Sequence, residues 1–101
     1  MNAKIDWQGV FPAVTTQFRD DHSLDVQATH RVMQALIRDG VSGLIVCGTV
    51  GENCSLSKEE KLAVMEAAKD AAGGRVPVIA GIAEFTTPFA AAMAKEAARI
   101  G

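Results

Sequence analysis

Two glycines around a hydroxyl residue, in the stretch Gly48-Thr49-Val50-Gly51-Glu52, form the part of this sequence best suited to binding a small anion. The stretch follows the apolar run 44–47, which lacks polar alternation and is typical of a strand buried on both faces of a parallel sheet. Glycines permit a sharp turn and a close approach of the backbone to a ligand. Free amides beside the Thr49 hydroxyl would suit a carboxylate or a phosphate. We therefore predict an anion site in this loop, at the sheet edge where α/β folds bind ligands.

Spacing alone leaves a second interpretation of this loop open, because glycines are also common in tight turns that bind nothing. The loop is not a P-loop, since no Gly-Lys-Ser/Thr follows, and it lacks the G-x-G-x-x-G spacing of a dinucleotide site. His22 and His30 have no cysteine or carboxylate at ligand spacing, so no metal site is expected. Cys47 and Cys54 are expected to be reduced thiols, because cytosolic disulfides are rare.

The elements that would position the loop alternate regularly along the chain. Apolar periodicity and turn residues predict the order β-α-β-α-β-α, with strands at 10–16, 44–47 and 76–80 and helices at 25–39, 58–72 and 87–101. Pro12 weakens the first strand, because proline belongs at a strand start or edge. Strands that alternate with helices in units of this size predict an α/β fold with a parallel sheet.

Helix starts are indicated by capping residues. Asp25 is the predicted cap of the first helix, and Ser57 begins a capping box with Glu60. Thr87, followed by Pro88, is the predicted cap of the third helix. Helical spacing predicts core positions at Met33, Met65, Phe89 and Met93.

Composition excludes several classes of protein. The 101 residues are 49% hydrophobic with a net charge of −2, which favours a packed domain and argues against a nucleic-acid partner. No apolar segment is long enough to cross a membrane, and the start lacks a signal-peptide pattern, so a cytoplasmic location is expected. Residues 1–101 suit a single domain with no second domain. The chain stops where a further strand would follow, so we interpret it as a partial domain.

The stretches GVFPAVTTQF, LDVQATHRVMQALIRDGVSGLIVCGTVGE, SLSKEEK and GRVPVIAGIA together resemble the dihydrodipicolinate synthase / N-acetylneuraminate lyase family, in the family's order and spacing. Members are TIM (β/α)8 barrels about three times this length, usually tetramers. They act on pyruvate or related 2-oxo acids through a Schiff base on a lysine. The resemblance implies the first three βα units of such a barrel, a homo-oligomer, and a lyase without cofactor or metal.

The resemblance also implies roles for the residues of the loop. Thr49 would be catalytic as part of a proton relay, and Thr49 and Val50 would hold the carboxylate of the 2-oxo acid. Gly48, Gly51 and Glu52 would support the loop. Because valine stands at position 50, where the synthases and lyases usually have threonine, the resemblance favours another specificity. A sugar-acid dehydratase or an aldolase for a different acceptor would fit.

The Schiff-base lysine and the catalytic tyrosines of the family have no counterpart in these 101 residues. The chain contains no tyrosine, and none of its lysines follows a strand. Lys58, Lys61 and Lys69 are predicted to lie on a half-exposed helix, whereas a Schiff-base lysine needs a desolvated pocket. The chain alone is therefore expected to be inactive. The alternative interpretations are a non-catalytic barrel fragment and a small self-assembling α/β module that binds anions.

Overall fold

The computed structural model describes residues 4–101. It contains three helices and two strands. Their order along the chain is α1 (Val26–Arg38), β1 (Leu44–Val46), a 3₁₀ turn (Asn53–Ser55), α2 (Lys58–Ala72), β2 (Val78–Ala80) and α3 (Thr87–Ile100). The predicted α/β class and all three helices are confirmed, with α2 beginning and ending at the predicted residues.

The two strands are parallel neighbours, with Leu44 opposite Val78 and Val46 opposite Ala80. The predicted first strand is not present as a strand. Its residues lie beside β1 and form a single parallel bridge, in which the Val14 amide donates to the Ile45 carbonyl at 2.8 Å. Pro12 has no N–H to donate, so the ladder is interrupted on its N-terminal side, where the next backbone bond runs from the Ser42 amide to the Val10 carbonyl at 2.8 Å. The three-strand prediction is therefore confirmed only for its second and third members.

The helix starts follow from their capping residues. Asp25 caps α1, with its Oδ1 accepting from the Ala28 amide at 2.9 Å, and the Ser57 capping box of α2 is complete. The prediction for α3 is wrong by one residue, because Thr86 is the cap and its hydroxyl accepts from the Phe89 amide at 3.2 Å. Adjacent threonines offer the same capping oxygen, so local chemistry does not decide between them.

The core lies between the helices and the covered face of the short sheet. Helix α1 packs on α2, and α2 packs on α3 and on both strands. The predicted core methionines are buried: Met33, Met65 and Met93. Phe89, by contrast, is 65% exposed, which contradicts its predicted core position. Since helix side chains tilt toward the N-terminus, a ring in the first turn of α3 projects beyond the packed part of the helix.

Candidate active site

The candidate loop begins at the carboxyl end of β1, next to the segment that leaves β2. The Gly81 amide donates to the Val46 carbonyl at 2.8 Å, so the two chain segments continue side by side past the paired strands. The arrangement therefore places the loop 48–52 and the segment 81–86 at the same edge of the sheet. That is the edge at which parallel α/β sheets bind ligands.

The backbone amides of Thr49 and Val50 in the loop make no hydrogen bond to the rest of the described chain. The Glu52 amide donates to the Thr49 carbonyl at 3.0 Å and closes a turn over residues 49–52. Among residues 4–101, neither the Thr49 nor the Val50 amide donates a hydrogen bond. Both side chains are exposed, Val50 at 57%. A carboxylate site here would need the two amides and the Thr49 hydroxyl to reach one small anion, and that role stays a prediction.

The sharp turns of this loop are not made by its glycines. Left-handed backbone occurs at Cys47, with φ 58°, and at Glu52, with φ 60°. Gly51 has a different constraint, because a Cβ atom there would lie 2.9 Å from the Val14 carbonyl oxygen. At Gly48 a Cβ atom would meet nothing within 4 Å. The first glycine therefore leaves open space beside the turn, whereas the second permits close packing on the segment before α1.

Buried side chains that sequence reasoning missed hold the loop in place. The Thr16 hydroxyl donates to the Gly51 carbonyl at 2.7 Å, and the Asn53 side-chain amide donates to the Ala83 carbonyl at 3.3 Å. Thr16 is 5% exposed and Asn53 is 3% exposed. Glu52, which the resemblance identifies as a supporting residue, is exposed, and no donor within residues 4–101 contacts its carboxylate. Its supporting role stays a prediction.

A buried ion pair lies beside the loop and corrects the prediction that Lys61 is half exposed. The Lys61 ammonium contacts the Glu84 carboxylate at 2.5 Å, and the two side chains are only 8% and 19% exposed. Lys61 lies in the first turn of α2, and Glu84 follows β2. The one available signal was Glu84 itself, the first charged residue after the apolar run 76–83.

The thiol of Cys47 faces this ion pair and is fully buried. Burial raises its pKa from 9.0 to about 11, with Glu84 acting in the same direction and Lys61 opposing it. Its Sγ atom lies 3.7 Å from the Lys61 carbonyl oxygen. A thiol protonated at neutral pH is a poor nucleophile. Both Cys47 and Cys54 are free, as predicted.

His30 lies in a groove apart from the loop. His30 on α1 contacts Asp70 on α2, with 2.8 Å between Nε2 and Oδ2. These two side chains line an open groove between α1 and α2, which contains none of the loop residues. Within residues 4–101, no three histidine, cysteine or acidic side chains are grouped as metal ligands would be. No helix in that range combines the length and apolarity needed to cross a membrane.

Comparison with known proteins gives consistent matches for nearly the whole chain. Residues 6–101 match the sequence profile of the Dihydrodipicolinate synthetase family. The chain is 42% identical, over 95 residues, to the 4-hydroxy-tetrahydrodipicolinate synthase of Salinibacter ruber. That match covers 94% of this chain and 32% of the relative. The chain therefore spans about a third of the length of the curated relatives it matches.

Solved structures agree with the sequence matches. The N-acetylneuraminate lyase from Mycoplasma synoviae superimposes with a TM-score of 0.87 at 33% identity, over 93% of this chain and 33% of the other. YagE from E. coli K12 also superimposes with a TM-score of 0.87 at 33% identity. It is a prophage protein of the dihydrodipicolinic acid synthase family and was solved in complex with pyruvate. That match covers 94% of this chain and 32% of YagE.

Proposed function

Because this chain belongs to the dihydrodipicolinate synthetase family, we propose that it forms the N-terminal part of a lyase acting on pyruvate or a related 2-oxo acid through a Schiff base. The parent reaction would be aldol cleavage or condensation, or dehydration of a 2-oxo sugar acid. Residues 1–101 would supply the first three βα units of a (β/α)8 barrel as a single partial domain. The match to about a third of each relative supports this division.

The observation that carries the proposal is the pair of open amides at the end of β1. Thr49 and Val50 would bind the carboxylate of the 2-oxo acid, and the Thr49 hydroxyl would relay a proton. YagE, solved with pyruvate, supports this ligand class. Val50 presents methyl groups where a threonine would add a hydroxyl contact. We therefore infer a specificity other than dihydrodipicolinate synthesis or neuraminate cleavage.

The Schiff-base nucleophile would lie outside these 101 residues. Lys61 is the one buried lysine among those the structure describes, and its amine is paired with Glu84. An ammonium ion held by a carboxylate has no lone pair with which to attack a ketone. Lys4, Lys58, Lys69 and Lys95 are exposed and lack a desolvated pocket. The homo-oligomer and the cytoplasmic location expected from the sequence remain predictions.

The carboxylate site is tested by a substitution that removes one backbone N–H donor and keeps the turn over residues 49–52. Val50 is the second residue of the turn over 49–52, a position that accepts proline, so V50P removes the donor, whereas V50A keeps it. Pyruvate is titrated into the ¹⁵N-labelled chain while the Thr49 amide resonance is followed. Hydrogen bonds to a charged group contribute about 1.5–3 kcal/mol, so V50P should weaken binding at least about tenfold and V50A should not. Equal affinities in the two variants would refute a site built on this amide.

The missing nucleophile is tested by intact-mass measurement after incubation with pyruvate and borohydride. We expect no reduced adduct on the 101-residue chain, because the buried lysine, Lys61, is paired with Glu84 and the other lysines are exposed. An adduct would show that the nucleophile lies within residues 1–101.

A non-catalytic module that binds anions is the second candidate, and the same open amides favour it. It predicts that inorganic phosphate competes with pyruvate at Thr49 with similar affinity. A 2-oxo acid site should instead prefer pyruvate over phosphate. The same titration therefore distinguishes the two functions.

A further inference from the structure

The buried ion pair connects two segments that both reach the candidate loop. Lys61 belongs to the helix that follows the loop, and Glu84 to the segment that follows β2. The Glu84 segment contacts the loop at both of its ends. Gly81 packs against the Cys47 backbone before the turn, and the Ala83 carbonyl accepts from Asn53 after it. The turn at 49–52 is therefore bracketed by contacts with one neighbouring segment.

The burial of the pair distinguishes it from an ordinary surface ion pair. The Lys61 side chain is 8% exposed, and the Arg38 side chain of the pair Arg38–Asp39 is 75% exposed. Charges taken out of water bring a desolvation cost that an apolar pair would avoid, so stability alone does not favour them. What a buried ion pair provides is a defined separation between the two groups it joins. Here the pair holds α2 at a fixed distance from the segment beside the turn.

We propose that Lys61 and Glu84 are positioning residues, which hold the segment 81–86 against the loop 48–52 and thereby fix the direction of the Thr49 and Val50 amides. The consequence for substrate binding rests on the function proposed above. The effect of the ion pair on the loop does not rest on that function, because it is expected in the chain without a ligand. Neither residue would contact the 2-oxo acid. Their effect would act through Cys47 and Asn53, at the two ends of the loop.

The first measurement uses the ¹⁵N-labelled chain with no ligand. In K61M and in E84Q, we expect the Gly81 amide to exchange with solvent at least about tenfold faster, because its bond to Val46 lies in the segment that is released. The Thr49 and Val50 amide resonances should shift in the same variants. K58M is the matched control, since Lys58 is exposed in the same helical turn and should leave these signals unchanged.

A charge-reversed double variant distinguishes a positioning role of the ion pair from a simple loss of packing. The reversed pair K61E/E84K keeps both charges in contact and should return the Thr49 resonance most of the way toward its original position. If K61M does not fold, E84Q and K61R provide the comparison, with K61R expected to retain the original signals. Faster Gly81 exchange with an unmoved Thr49 resonance would overturn the proposal, as would variants in which neither signal changes.

Pyruvate titration of the same variants then links position to binding. K61M should raise the dissociation constant at least about threefold if the amide directions matter. If the unaltered chain does not bind pyruvate, the proposed function fails, while the ligand-free shifts still decide whether the pair positions the loop. Unchanged affinity in a K61M protein whose Thr49 resonance has shifted would overturn the link to substrate binding.

Discussion

Replacing Gly81 with alanine tests the contact between the two segments at the carboxyl ends of the strands. A Cβ atom at this position would lie 2.5 Å from the Cys47 carbonyl oxygen and 3.2 Å from the Gly48 Cα atom. Carbon–oxygen contacts are normally about 3.3 Å or longer, so the segments would have to separate by about 0.8 Å. Overpacking of this kind costs about 1–3 kcal/mol, and strain on the bond from Gly81 to Val46 adds about 0.5–1.5 kcal/mol.

A smaller opposing effect comes from the unfolded chain, which alanine makes less flexible by about 0.4–1 kcal/mol. We therefore expect G81A to lower the free energy of unfolding by about 2–3 kcal/mol. G48A is the matched control, because neither glycine has left-handed backbone and a Cβ atom at Gly48 meets nothing within 4 Å. It should leave stability unchanged or raise it by up to about 1 kcal/mol.

Urea denaturation followed by circular dichroism at the helical band measures both variants. If G81A were as stable as G48A within about 0.5 kcal/mol, the close contact between Gly81 and Cys47 would be refuted. The segment after β2 would then not lie directly against the candidate loop.

Four further outcomes are expected. T16V removes the buried donor to the Gly51 carbonyl and should lower the free energy of unfolding, measured by urea denaturation, by about 1–3 kcal/mol. T15V, at an exposed neighbour, should change it by no more than about 0.5 kcal/mol. Equal losses in the two variants would contradict the hydrogen bond from Thr16. A thiol reagent at pH 8 should modify one cysteine of the native chain and both in urea. Folding raises the Cys47 pKa from 9.0 to about 11, so the unfolded chain loses the thiol proton at lower pH than the folded chain. The stability of the unaltered chain should therefore fall relative to that of C47A as the pH rises from 9 to 11. Parallel plots of stability against pH for the two proteins would argue against a buried thiol. M33A removes a fully buried side chain and should cost about 2–5 kcal/mol by thermal denaturation, and a loss below about 1 kcal/mol would contradict its place in the core.

The sequence by itself determined the features that depend on residues close together in the chain. The cap at Asp25 and the capping box at Ser57 join groups three residues apart, so their residue types predict them directly. The glycine at position 73, with φ 55°, ends α2 where the sequence predicted. The candidate loop was also found by local order alone, as a glycine-rich turn after an apolar run.

Local sequence patterns did not predict the structure where two neighbouring residues could cap a helix equally well, or where a strand depended on pairing with a distant segment. Thr86 and Thr87 carry the same capping group, and the first of them caps α3. The run 10–16 has the composition of a strand, but its hydrogen bonds depend on whether a neighbour can pair along its length. Pro12 cannot donate to the neighbouring chain, and the run forms one bridge, between Ala13 and Ile45.

Tertiary structure alone decided how the candidate site is held. Thr16 bonds to the loop from 35 residues away, Asn53 bonds across 30 residues, and Lys61 pairs with Glu84 across 23. No periodicity or motif encodes such pairings, because they arise only after the helices and strands have packed. Burial of Lys61 has the same origin, since a lysine in the first turn of a helix is exposed unless another segment covers it. The sequence therefore predicted where the loop is, and packing determined which side chains hold it there.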